Sequence, residues 1–162
     1  MAVVDKNQAM INYFLTCTPI YQSTLYFNFA NIADAAKQFV TQSNDINLNT
    51  PYIDGAEKKR YSMTITSFTS ISNNPIIKVA GYDNENISDL AEIQALIDWI
   101  AEQNENSHFP DFGTGIDVEK IQTTSANPRL DSIDANSTPA IARYSFTVQV
   151  EYIDRTKVIW NN

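Results

Sequence analysis

The chain is poor in the residues that catalysis and metal binding most often use. It has 1 Cys and 1 His in 162 residues. A single thiol excludes an internal disulfide, and zinc sites need several Cys or His at short spacing. Neither G-x-x-x-x-G-K-[ST] nor G-x-G-x-x-G occurs, so nucleotide binding has no motif behind it. Gly 4 and Pro 6 are few, and there is no internal repeat or low-complexity tract. No apolar run approaches the roughly 20 residues that span a bilayer. The opening Met1-Ala2-Val3-Val4-Asp5-Lys6 has no basic stretch ahead of an apolar one, so no secretory signal is expected. Cations are also scarce. Lys plus Arg is 11 against 19 Asp plus Glu, a formal net charge of -8. That balance opposes tight gripping of nucleic acid through phosphates. It does not oppose letting nucleic acid pass.

What the chain does have is enough apolar material for a core: 43% hydrophobic and 11% aromatic residues. The length fits a single domain. Asp5 as N-cap, with Gln8 three residues on as in a capping box, starts a first helix carrying Ala9, Met10, Tyr13 and Phe14. Pro19 ends it. Leu25, Phe27 and Phe29 alternate as a strand. Residues 31–41 fit a short helix or the start of a strand. Residues 42–60 read as a polar excursion, with Asp54-Gly55 a tight turn and Glu57-Lys58-Lys59-Arg60 a charged patch. Tyr61 to Ile71 reads as a strand with Tyr61, Met63 and Ile65 on one face. Ile76 to Ala80 can form a short strand.

The clearest helix covers about Ser88 to Gln103, capped by Asn86 or Ser88, with Leu90, Ile93, Leu96 or Ile97, and Ile100 as its buried stripe. Asp89 and Glu92 suit its positive end. A strand lies within Gly115 to Thr124, and residues 125–140 form a second polar excursion. Tyr144, Phe146, Val148, Val150 and Tyr152 then alternate with polar residues without an error. Such a strand needs sheet neighbours and a helix over its apolar face. The expected fold is one α+β domain: an antiparallel or mixed sheet with helices on one face.

No constellation carries chemistry, so no catalytic, cofactor or metal residue is assigned. His108 follows a helix end without partners for catalysis. Cys17 reads as a small buried hydrophobe. Asp111, Asp117 and Glu119 do not match a calcium loop. The candidate contact residues are Asp54, Gly55, Lys58, Lys59 and Arg60, with Val158, Ile159 and Trp160 in a tail at 154–162. That tail either closes the sheet or docks on a neighbouring subunit.

The second half also carries an ordered set of positions. Leu96-Ile97-Asp98-Trp99-Ile100-Ala101-Glu102-Gln103-Asn104 is followed by Phe109-Pro110-Asp111-Phe112, Val118-Glu119-Lys120-Ile121, Leu130, and Ala142 to Tyr152. Tyr52-Ile53-Asp54-Gly55 stands ahead of the strand from Tyr61. Over roughly residues 37–153 this pattern resembles the tail terminator and minor capsid proteins of long-tailed bacteriophages. The resemblance implies a virion protein, made in the host cytoplasm, whose subunits form a hexameric ring. That ring caps the tail tube, meets the major tail tube protein, and offers the surface that joins head connector proteins. DNA passes through it without specific binding, with no cofactor, metal, catalysis or membrane involved. A head-completion or connector protein is the nearest alternative, and a small cytoplasmic binding module the non-viral one.

Overall fold

The computed structural model describes residues 5–17, 24–27, 38–45, 50–70, 85–136 and 140–158. In chain order the elements are helix α1 (Lys6–Phe14), strands β1 (Thr24–Phe27), β2 (Gln38–Asp45), β3 (Thr50–Pro51) and β4 (Glu57–Ser70), helix α2 (Glu85–Glu105), and strands β5 (Ile116–Thr123), β6 (Arg129–Asp134) and β7 (Ile141–Asp154).

β7 carries the perfect alternation and pairs with three other strands of the sheet. Ala142, Tyr144, Phe146, Val148, Val150 and Tyr152 are all buried. On one side β7 pairs antiparallel with β4 along its whole length, from Glu57↔Asp154 to Ser70↔Ile141. On the other side two shorter strands share its edge, both antiparallel. β5 takes the end from Val148 to Asp154, and β6 takes the end from Ile141 to Ser145. β4 in turn pairs with β2 and, at its start, with β3. β1 adds parallel to β2. The sheet is therefore mixed, with order β1-β2-β4-β7-β5 and β3 and β6 beside this path.

Both helices cover one face, as the sequence pattern requires. Tyr61, Met63 and Ile65 of β4 stand opposite Val150, Val148 and Phe146. Over them lie Met10 and Phe14 of α1 and Ile93, Leu96, Ile97 and Ile100 of α2, all in one buried cluster with Ile121 and Cys17. The loop after α2 adds Phe112, which meets Tyr61 and Tyr152 edge-on at 5.9 and 5.4 Å between ring centres. Aromatic pairs in this geometry gain beyond their burial. The opposite face is mainly polar, with Thr64 and Thr147 hydroxyls 3.1 Å apart and Phe68, Ile141 and Ile153 among its apolar positions.

α1 is held at both ends. Asp5 accepts the Asn7 N–H at 2.9 Å, as expected of an N-cap. Gln8 does not complete a capping box; its amide donates instead to Asn12. The Tyr61 hydroxyl donates to Asn7 Oδ1. The Tyr13 hydroxyl donates to the His108 carbonyl at 2.8 Å, while its ring lies 5.1 Å from Trp99. Burial, then Cys17, pushes the Tyr13 hydroxyl well above the usual tyrosine range.

Four expectations need correction. α2 begins at Glu85, so Asn86 and Ser88 lie inside it and do not cap it. Residues 42–60 are not one excursion: β2 runs to Asp45, β3 occupies Thr50–Pro51, and β4 starts at Glu57. Residues 125–140 contain β6, whose six side chains are all exposed. The charged patch Glu57 to Arg60 is the start of a strand, not part of a loop. The ambiguity at 31–41 resolves from Gln38 onward as strand; residues 31–37, and the strand expected at 76–80, lie outside the described residues.

Candidate functional site

The hairpin between β3 and β4 carries a fully exposed isoleucine at its tip. Its loop is Tyr52-Ile53-Asp54-Gly55-Ala56. The Tyr52 N–H donates to the Ala56 carbonyl at 2.8 Å and the Gly55 N–H to the Tyr52 carbonyl at 3.1 Å. Asp54 Oδ1 accepts the Ala56 N–H at 3.0 Å, the side-chain-to-backbone turn bond at which Asp is effective. Gly55 takes φ +87°, which glycine alone adopts readily. Ile53 at the tip is fully exposed and Tyr52 is 45% exposed.

The hairpin rests on the turn that follows β7. A Cβ on Gly55 would stand 3.1 Å from the Lys157 carbonyl oxygen. On the other side of that turn, a Cβ on Gly115 would stand 3.3 Å from Thr156 Cγ2. The Arg155 N–H donates to the Gly115 carbonyl at 2.7 Å, and the Val158 N–H to the Arg155 carbonyl at 3.1 Å. Arg155 Nε reaches Asp117 at 2.8 Å, and its guanidinium lies 3.9 Å from Asp54. Two glycines thus allow three backbone segments to close on each other.

Below the tip, the strand ends carry ion pairs on both faces. On the helix-covered side, Lys59 bridges Asp154 at 2.6 Å and Glu57 at 2.9 Å, and Lys157 approaches Glu57 at 3.8 Å. On the open side, Lys58 meets Glu119 at 3.1 Å and Glu151 at 3.4 Å, while Arg60 holds Glu151 at 2.7 Å. Burial alone would raise Asp154, but hydrogen bonds from Lys59 and Thr156 outweigh it and hold the carboxyl down to about 2. The Arg60 hydrogen bond likewise lowers Glu151. The Asp154 bond raises Lys59, and the Glu119 bond raises Lys58.

The structure therefore gathers Asp54, Gly55, Lys58, Lys59, Arg60 and Val158 at one end of the sheet. Ile159 and Trp160 lie outside the described residues. Val158 is half-buried beyond the end of β7, in the turn that its N–H closes onto the Arg155 carbonyl. The three cations are not a phosphate patch, because each already faces a carboxylate. The residue that sequence reasoning missed is Ile53, an isoleucine in a polar turn, and its placement directly before Asp-Gly was the available signal.

The other sequence candidates are dispersed. Asp117 serves Arg155, Glu119 serves Lys58, and Asp111 accepts the Gly113 N–H at 2.8 Å. His108 is exposed and holds Tyr13 through its backbone. A groove of about 530 Å³ between α1 and the Phe109-Pro110 loop is lined by Asp5, Gln8, Asn12 and Tyr13. Among the described residues no group of three His, Cys, Asp or Glu is placed to hold a metal ion, and no helix is long and apolar enough to cross a membrane. What remains is an ion-paired rim with an apolar tip, a surface suited to contact. Comparison with protein-family models and with curated proteins finds no match, so this geometry is what bears on function.

Proposed function

We propose that the chain is a structural subunit of a long-tailed bacteriophage virion, a tail terminator that forms a ring over the finished tail tube and offers the head-joining surface. The observation that carries this reading is the β3–β4 tip. A fully exposed isoleucine has about 1.5–3 kcal/mol to gain when another surface covers it. Here it stands on a hairpin fixed by the Gly55 seat, which limits the ordering cost of docking. A ring needs contacts between unlike faces, and a projecting tip is one half of such a contact. The ordered resemblance over roughly residues 37–153 supports the same reading. So does the charge: the cations Lys58, Lys59 and Arg60 are engaged by carboxylates, and the net charge of -8 favours a bore that does not hold phosphate.

The test is co-expression with the tail tube protein from the same genome, followed by electron microscopy of tube ends. Capped tubes with wild-type protein are expected, and uncapped tubes with Ile53→Asp at an unchanged unfolding midpoint. Folded Ile53→Asp protein that still caps tubes overturns the role of the tip. Wild-type protein that binds head connectors but never tubes points to a head-completion protein instead.

A further inference from the structure

We propose that β6 is a self-docking edge, pairing antiparallel with β6 of a second copy about a twofold axis through Ser132. β6 hydrogen bonds to β7 alone among the described strands, and all six of its side chains are exposed. An edge with no second partner among the described strands offers a row of backbone donors and acceptors to an incoming strand. Its two apolar residues, Leu130 and Ile133, are 46% and 54% exposed.

A bulge gives the edge its self-complementarity. The register with β7 slips between Leu130 and Ser132, which leaves Asp131 as the extra residue. Leu130 stands opposite Tyr144 and Ile133 opposite Ala142, so both apolar side chains lie on the helix-covered side. Arg129, Ser132 and Asp134 stand opposite Ser145, Arg143 and Ile141, on the other side. Without the bulge, positions 130 and 133 would point to opposite faces.

Five ladder positions remain, centred on Ser132. Run antiparallel against itself, this ladder sets Arg129 opposite the second copy's Asp134, Leu130 opposite the second copy's Ile133, and Ser132 opposite its own counterpart. Each pair lies on one face, as opposed residues in a sheet must. The two outer pairs bring opposite charges together, and the two inner pairs cover the exposed Leu and Ile. Within one copy, among the described residues, Arg129 lies 3.9 Å from Asp131, and its side chain is 84% exposed. This match of charge and apolarity under reversal identifies a second copy of the same strand as the occupant. The contact closes on itself, so it is separate from the unlike-face contacts that a ring requires and does not depend on the tail reading.

A six-residue strand pair buries less than the roughly 1,200 Å² of a stable interface, so the dimer is a weak one. Sedimentation of the whole chain from low micromolar to near-millimolar concentration is expected to show reversible dimerisation. Arg129→Asp and Asp134→Arg each place like charges opposite one another and are expected to weaken the dimer about tenfold or more. Their equimolar mixture restores both pairs and is expected to dimerise again. Ile133→Lys is expected to leave a monomer with an unchanged fold. A strictly monomeric wild type, or an oligomer that none of these variants alters, overturns the proposal. Tube capping by the variants is expected to persist, which separates this contact from the proposed function.

Discussion

Asn104, near the end of α2, holds the outer edge of β5: its Oδ1 accepts the Ile121 N–H at 3.0 Å. Ile121 is fully buried, so this amide has no recourse to water. Asn104→Ala is expected to destabilise the fold by about 1–3 kcal/mol, the cost of an unsatisfied donor. Denaturant unfolding measures the loss. Hydrogen exchange of the Ile121 amide should accelerate more than that of Val150, which faces it within the sheet.

The end of α2 predicts a gain. The His108 N–H donates to the Gln103 carbonyl and the Ser107 N–H to the Asn104 carbonyl, with Ser107 at φ 56°. This bonding is a Schellman motif with serine where glycine is preferred. Ser107→Gly is expected to stabilise the protein by about 1 kcal/mol, read as a higher urea midpoint at unchanged slope.

The Gly55 seat predicts a loss. Gly55→Ala adds a Cβ against the Lys157 carbonyl in a left-handed backbone conformation. A cost of about 1–3 kcal/mol is expected. Protease sensitivity should rise first in residues 154–158, because the hairpin and that turn hold each other.

The ion pair of Lys59 and Asp154 predicts a pH dependence. Asp154 ordinarily titrates near 3.8 and is held to about 2 in the fold. Its contribution is therefore complete above pH ~4 and disappears as pH falls from ~4 towards ~2. With allowance for solvent at this rim, about 1–2 kcal/mol is at stake. Urea unfolding across that range should show the acid slope, and Asp154→Asn should flatten it.

Val148 tests the sheet itself. It is fully buried at the centre of β7, opposite Met63. Val148→Asp buries an unpaired carboxylate and is expected to exceed the stability of the domain. Circular dichroism should show no cooperative unfolding transition.

The elements that the sequence made readable are those in which burial alternates. β7 shows period two because one face meets the helices, and the stripe of Ile93, Leu96, Ile97 and Ile100 shows helical spacing for the same reason. β6 carries no such pattern, because all its side chains meet solvent and only the β7 backbone makes it a strand. The polar run Gln42-Ser43-Asn44-Asp45 likewise becomes strand through pairing with β4. Glu57 to Arg60 read as part of a polar excursion because its partners, Glu119, Glu151 and Asp154, lie far along the chain. Two capping residues near Asn86 drew the start of α2 inwards, although the helix extends past both to Glu85.

The central place of β7 also sets the order of events during synthesis. It follows every other described element in the chain, yet β4, β5 and β6 all hydrogen bond to it. About 70–100 residues separate the paired positions of β4 and β7, a spacing that slows folding. Until β7 emerges from the ribosome, β4 lacks its principal partner and the apolar residues Met63 and Ile65 have only part of their cover. Transiently exposed apolar surface and an unpaired strand edge of this kind favour aggregation until β7 is made.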